Sequence, residues 1–206
     1  MVQSRTSRGT RWSWSQTSIT CCALVCAALA SSAAVAKSGI FCNPALLYTE
    51  EQIRRGNAKS KTDTLRLNFG LGVDIDSGFI LGAKYYSVTA SSDISDSDTE
   101  KVDVSGLGLM TGWMAPKNWS IFATWLFGPE RTEGSGSGKT VYSDGRGIVI
   151  DAGWRSSVGS GVEVGPQLTW SSITYEKSKV GSTSSSLSGT WSDTELYPYL
   201  AAWIRF

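Results

Sequence analysis

The last eleven residues, Leu196-Tyr197-Pro198-Tyr199-Leu200-Ala201-Ala202-Trp203-Ile204-Arg205-Phe206, decide how the rest of the chain is read. Leu196, Pro198, Leu200, Ala202, Ile204 and Phe206 share one side of an extended chain. Tyr197, Tyr199, Trp203 and Arg205 share the other. Side chains of a strand point alternately to its two faces, so this period of two predicts a β-strand.

Working upstream, the same texture recurs. Over 62–74, Leu65, Leu67, Phe69, Leu71 and Val73 alternate with Thr64, Arg66, Asn68, Gly70 and Gly72. Phe79, Leu81, Ala83 and Tyr85 alternate with Gly82, Lys84 and Tyr86. Leu107, Leu109 and Trp113 stand against Gly106, Gly108 and Gly112. Trp119, Ile121, Ala123, Trp125 and Phe127 stand against Ser120, Phe122, Thr124 and Leu126. Tyr142, Ile148, Ile150, Ala152 and Trp154 oppose Ser143, Gly145, Gly147, Asp151 and Gly153. Val162, Val164, Leu168 and Trp170 oppose Glu163, Gly165, Gln167 and Thr169. In each strand one face is apolar with aromatics near its ends, and the other is small, polar or charged.

Between these segments the connections alternate in length. Short turns are expected at Asp76-Ser77-Gly78, at Ala115-Pro116-Lys117-Asn118 and over 155–160. Long polar loops are expected over 91–100, 129–139 and 176–190. Short turns at one end and long loops at the other are the rhythm of a transmembrane barrel. Seven strands are plain, and a barrel of this kind requires an even number. The missing strand is placed within 41–51, around Ala45-Leu46-Leu47-Tyr48, although Asn43-Pro44 followed by Glu50 and Glu51 also reads as a helix start. The linker 52–61 then becomes the first outer loop. The fold class expected is all-β: an antiparallel up-and-down transmembrane β-barrel of eight strands.

Residues 1–36 read as a secretory signal peptide. Arg5, Arg8 and Arg11 form a basic leader, an apolar run follows from Ile19 to Ala30, and Ala34-Val35-Ala36 offers a small-x-small cleavage pattern. The barrel is then assigned to 37–206. That part carries 16 basic residues (19 less the three arginines) and 18 acidic ones. A near-neutral balance with scattered positive charge argues against nucleic acid. Cys42 is the one cysteine left, so no internal disulfide is available, and it is expected to pack as a small hydrophobe. No later stretch approaches 18 apolar residues, so any membrane crossing must use a closed sheet.

The terminal pattern Leu200-x-Ala202-x-Ile204-x-Phe206 resembles the carboxy-terminal sorting signal of outer-membrane proteins. Together with the leader and the loop rhythm, it makes 40–206 similar to the small outer-membrane barrels of the OmpX/Ail and OmpA-domain kind, by pattern rather than residue identity. The resemblance implies a location in the bacterial outer membrane. It also implies two partners: the lipid bilayer, and the barrel-assembly machinery, which would read the strand ending in Phe206.

Chemical motifs are sparse. The segment 134–140 looks like a phosphate loop, but Glu133 stands where that pattern needs Gly, and a strand rather than a helix follows. Asn118-Trp119-Ser120 matches a glycosylation acceptor only by chance in such a turn. The chain has no histidine, the usual general acid–base near neutral pH. The resemblance points the same way, because the enzymes among outer-membrane barrels use one. The expectation is therefore no enzyme, no cofactor, no metal, and no catalytic, cofactor-binding or metal-ligating residue. The inward charges Arg66, Lys84, Asp151, Glu163 and Glu195 are expected to pair inside a narrow barrel, because an unpaired buried charge is costly. Arg205 joins them or sits at the rim. The function read from these features is structural or surface-interacting, carried by the long loops. A narrow pore for ions or small solutes is the alternative; a lipid-modifying enzyme, disfavoured by the missing histidine, and a secreted soluble barrel are further ones.

Overall fold

The computed structural model describes residues 39–55, 58–76, 78–94, 99–134, 138–181 and 183–206. The expected signal peptide lies outside them. Ten strand segments follow in order: β1 (Ile40–Arg55), β2 (Ala58–Asp76), β3 (Phe79–Ile94), β4 (Glu100–Met114), β5 (Trp119–Glu133), β6 (Thr140–Ser143), β7 (Arg146–Trp154), β8 (Ser156–Gly159), β9 (Val162–Val180) and β10 (Thr183–Arg205). All neighbours run antiparallel. β10 pairs with both β9 and β1, so the sheet closes into a ring. β6 and β7 occupy one place between β5 and β9, and β8 is a short flap on β9, leaving eight positions around the ring. The region 41–51 is a strand, and the helix alternative fails.

The ring is inverted relative to a soluble protein. Leu81, Leu107, Leu109, Ile121, Trp125, Ile150, Leu168 and Leu200 are exposed on the outside, while Arg66, Asn68, Lys84, Thr124, Asp151, Gln167 and Thr169 are buried within. Along β5 the apolar run Trp119 to Phe127 spans roughly 20 Å of barrel height, at ~3.3 Å per residue and ~40° of tilt. Trp113 and Trp119 meet edge to face at 5.3 Å beside the 115–118 turn, forming an aromatic rim at the end that holds Ile40 and Phe206, called the terminal end below. Cys42 is buried, opposite Ile204.

Three expectations are corrected. The long polar loops are mostly strand. β1 and β2 replace most of the predicted 52–61 loop, and β9 and β10 replace most of 176–190. β3 reaches Ile94 and β5 reaches Glu133, so 91–100 and 129–139 shrink as well. Ser, Thr and Asp read as linker by composition, yet here they form cross-strand pairs. Examples are Thr62 with Ser92 (3.1 Å) and Ser178 with Ser185 (3.2 Å). Second, Tyr142 does not share the outer face of Ile148. The chain breaks between β6 and β7 at Asp144, whose φ is 54°, and Tyr142 packs inward against Tyr175 and Trp191. Third, the 155–160 turn holds the buried Arg155 and the flap β8.

If the exposed band meets lipid, Arg at Ile150 should cost about 2–4 kcal/mol of folding stability in bilayers, whereas Thr124→Ser should cost less than ~1 kcal/mol. Denaturant titration of refolded protein in vesicles checks both. Equal losses would contradict the assigned faces.

Candidate functional site: the barrel interior and its far mouth

The inside of the ring is filled in tiers. Nearest the termini lies an apolar cluster of Phe41, Ala45, Ile80, Met110, Met114, Phe122, Tyr199, Ala201 and Trp203. Gly153 makes room for Trp203, since a Cβ there would sit 2.3 Å from the indole. Toward the far end lies a second cluster, of Tyr86, Val88, Val104, Leu126, Val149, Ile173 and Tyr175.

Between the clusters runs a polar belt. Lys84 on β3 reaches across to Asp151 on β7, with Nζ 2.5 Å from Oδ2, and both side chains are fully buried. The other Asp151 oxygen accepts from Thr169 Oγ1 (2.7 Å) and Gln167 Nε2 (3.0 Å). That saturation is what a buried carboxylate requires. Arg66 on β2 bonds Glu195 on β10 at 3.1 Å and lies 3.6 Å over the Tyr197 ring. Tyr86 Oη sits 3.2 Å from Ser171 Oγ. Glu163 pairs with Arg155, whose Nη2 also donates to the carbonyls of Ala115 (2.5 Å) and Trp119 (3.2 Å), bracing two turns at the terminal end. All five inward charges predicted from the sequence therefore have partners. Arg205 is the rim residue, 3.9 Å from Asp74. Arg155 was hidden from sequence reasoning because it occupies a turn.

The far mouth carries a second constellation that the sequence did not reveal. Trp191 stacks near Tyr142 (4.9 Å) and Tyr175 (5.4 Å). Arg131 lies 4.7 Å over the Trp191 ring and bonds Glu133 (2.6 Å) and Asp193 (2.7 Å). Burial pushes the Tyr142 phenol above its ordinary pKa, and the Glu133 carboxylate adds to the shift. The face switch at Asp144 brings Tyr142 into this cluster. Among the described residues no group of three His, Cys, Asp or Glu side chains is placed to hold a metal.

No family model matches the sequence, and no curated protein matches it. Solved structures do. The chain is similar to Neisserial surface protein A, with 13% identity, a TM-score of 0.46, and coverage of 82% of this chain and 98% of that one. It is similar to the translocator domain of the autotransporter NalP from Neisseria meningitidis, with 11% identity, a TM-score of 0.36, and coverage of 90% and 67%. It is also similar to the β domain of the Bordetella autotransporter BrkA, with 9% identity, a TM-score of 0.40, and coverage of 82% and 98%.

The belt yields a double-mutant test. Lys84→Met or Asp151→Leu alone should cost roughly 3–5 kcal/mol by stranding a buried charge, and the double variant should recover most of that loss. Additive losses would show that the two charges do not act as a pair. With its ring closed, its charges paired inside and its apolar band outside, the chain has the architecture of a small outer-membrane β-barrel.

Proposed function

We propose that this protein is a non-conducting barrel of the bacterial outer membrane, serving a structural or surface-interaction role through the hairpins at its far end. The observation that carries the reading is the filled interior. Two apolar clusters lie on either side of a belt of paired charges, and Phe122, Trp203, Tyr86 and Leu126 are all buried within the ring. Eight strands enclose little space beyond their own side chains. A groove of about 400 Å³ lies on the outside of the wall, lined by Trp119, Ile121, Trp154, Leu168 and Pro198. The far-end hairpins, with Arg131, Tyr142 and Trp191 at their base, offer aromatic and charged surface on a rigid support, where binding residues concentrate.

The orientation that fits puts both termini and the short turns in the periplasm and the hairpins outside the cell. The strand ending in Phe206 is then the segment presented to the barrel-assembly machinery. Nothing in the residues favours catalysis, and the chain lacks histidine.

In planar bilayers the refolded protein, and a variant with residues 177–186 removed from the β9–β10 hairpin, should both show at most small or rare conductance. Steady ion-selective channels in both would overturn the closed reading and favour the pore. Separately, Phe206→Asp should sharply reduce outer-membrane assembly in cells. Assembly at the wild-type level would refute the sorting role of that residue.

A further inference from the structure

The eight junctions of the ring are not equal. β1 and β2 pair over sixteen consecutive positions, from Ile40–Val73 to Arg55–Ala58. β1 and β10, which close the ring, pair at only four: Phe41–Arg205, Cys42–Ile204, Ala45–Ala201 and Leu46–Leu200. Beyond Leu46–Leu200 the two strands continue without pairing, although both still carry the apolar exterior through Tyr48 and Leu196.

Two prolines account for this. The Phe206 N–H donates to the Ile40 carbonyl (3.0 Å), so even-numbered residues of β10 and of β1 turn their backbone groups toward each other. Pro44 and Pro198 are both even-numbered, and each removes a ladder donor from this one junction. The two losses are handled differently. At Pro44 the Asn43 side chain replaces the missing donor: its Nδ2 bonds the Ala202 carbonyl at 2.9 Å, and pairing resumes at Ala45. At Pro198, whose facing residue would be Tyr48, no such side-chain bond is found among the described residues, and the ladder ends.

A second observation lies behind the gap. Leu47, on the inner side of β1, pairs with Arg66, and Tyr197, on the inner side of β10, lies under the Arg66 guanidinium. Arg66 is buried, yet its Nε and Nη1 find no acceptor in the protein. Buried donors of a charged group left unmet cost several kcal/mol in a sealed apolar wall. The unpaired stretch of β1 and β10 thus lies beside an inward charge whose donors are incompletely met. The free edge is also guarded against another strand, because Glu50 and Glu51 stand on β1 within the unpaired stretch, and charged edges resist strand addition.

We propose that the far-end half of the β1–β10 junction is an unzipped seam in the barrel wall, held apart by Pro198 and lying beside the Arg66–Glu195 part of the polar belt. The seam is a property of the wall, independent of whether the axis conducts or which membrane holds the protein. Its terminal-side half stays closed through the Asn43 bridge.

Amide hydrogen exchange of the full chain refolded in detergent micelles tests this residue by residue. Along β1, the even-numbered amides of Tyr48, Glu50 and Gln52 face the gap and should exchange fast. The odd-numbered amides of Leu47, Thr49 and Glu51 face β2 and should be protected. Along β2, which pairs with β1 on one side and β3 on the other, both parities should be protected. Pro198→Thr supplies an N–H for the Tyr48 carbonyl; that bond should close the pair, so that the Tyr48 amide in turn donates to the residue-198 carbonyl and exchanges about tenfold more slowly. Equal protection of odd and even amides in the wild type would show a zipped wall and overturn the proposal. Alternating protection that Pro198→Thr leaves unchanged would overturn the role given to the proline. Because neither readout involves conduction or localisation, failure here leaves the proposed function standing, and the reverse also holds.

Discussion

A sheet whose outside is apolar has one constraint above all others: every backbone N–H and C=O in the apolar band needs a partner within the protein. Ring closure is the general solution, and each feature of this chain is a way of meeting it or a local departure from it. The long strands extend well past the band because a ladder, once begun, satisfies polar backbone equally well in water. The far-end hairpins are therefore continuations of the wall rather than loops attached to it.

The five prolines make the constraint visible, because each lacks a donor and each stands where a ladder is interrupted. Pro116 lies in the 115–118 turn. Pro129 follows Gly128, whose φ is 53°, at the bulge where β5 leaves β7 and takes up β6. Pro166 stands where β9 passes from β7 to β8. Pro44 and Pro198 share the closing junction. Had either fallen on an uninterrupted ladder, a carbonyl would lose its partner in the apolar band. The prolines thus mark out where this barrel bends, changes neighbours or parts.

The interior obeys a parallel rule for charge. Lys84 and Asp151 come from different sides of the ring and meet where water is excluded, so their value lies in mutual neutralisation and in fixing the geometry of the belt. Apolar clusters above and below the belt keep it dry, and Arg155 braces the turns at the terminal end. At the far mouth, where exposure rises, the same logic relaxes into stacked aromatics around Arg131.

The sequence by itself determined which residues face out and which face in. Alternation is a local property of an extended chain, so Leu67, Ile121 and Leu200 could be placed outside, and Arg66, Lys84 and Asp151 inside, without any knowledge of neighbours. It also pointed to eight positions around the ring, from seven clear segments and the even number expected, but left 41–51 open between strand and helix. Only the tertiary structure decided which inward charge meets which, because Lys84 and Asp151 stand 67 positions apart and their encounter depends on the stagger of the whole ring. The same holds for Tyr142, whose face reversed at a single residue of positive φ, and for the Ser- and Thr-rich segments, which composition reads as linker and cross-strand pairing makes into wall. The partly open junction was beyond sequence reading for that reason too. Pro198 looks like any other member of the outward row until the register shows that its missing donor faces β1.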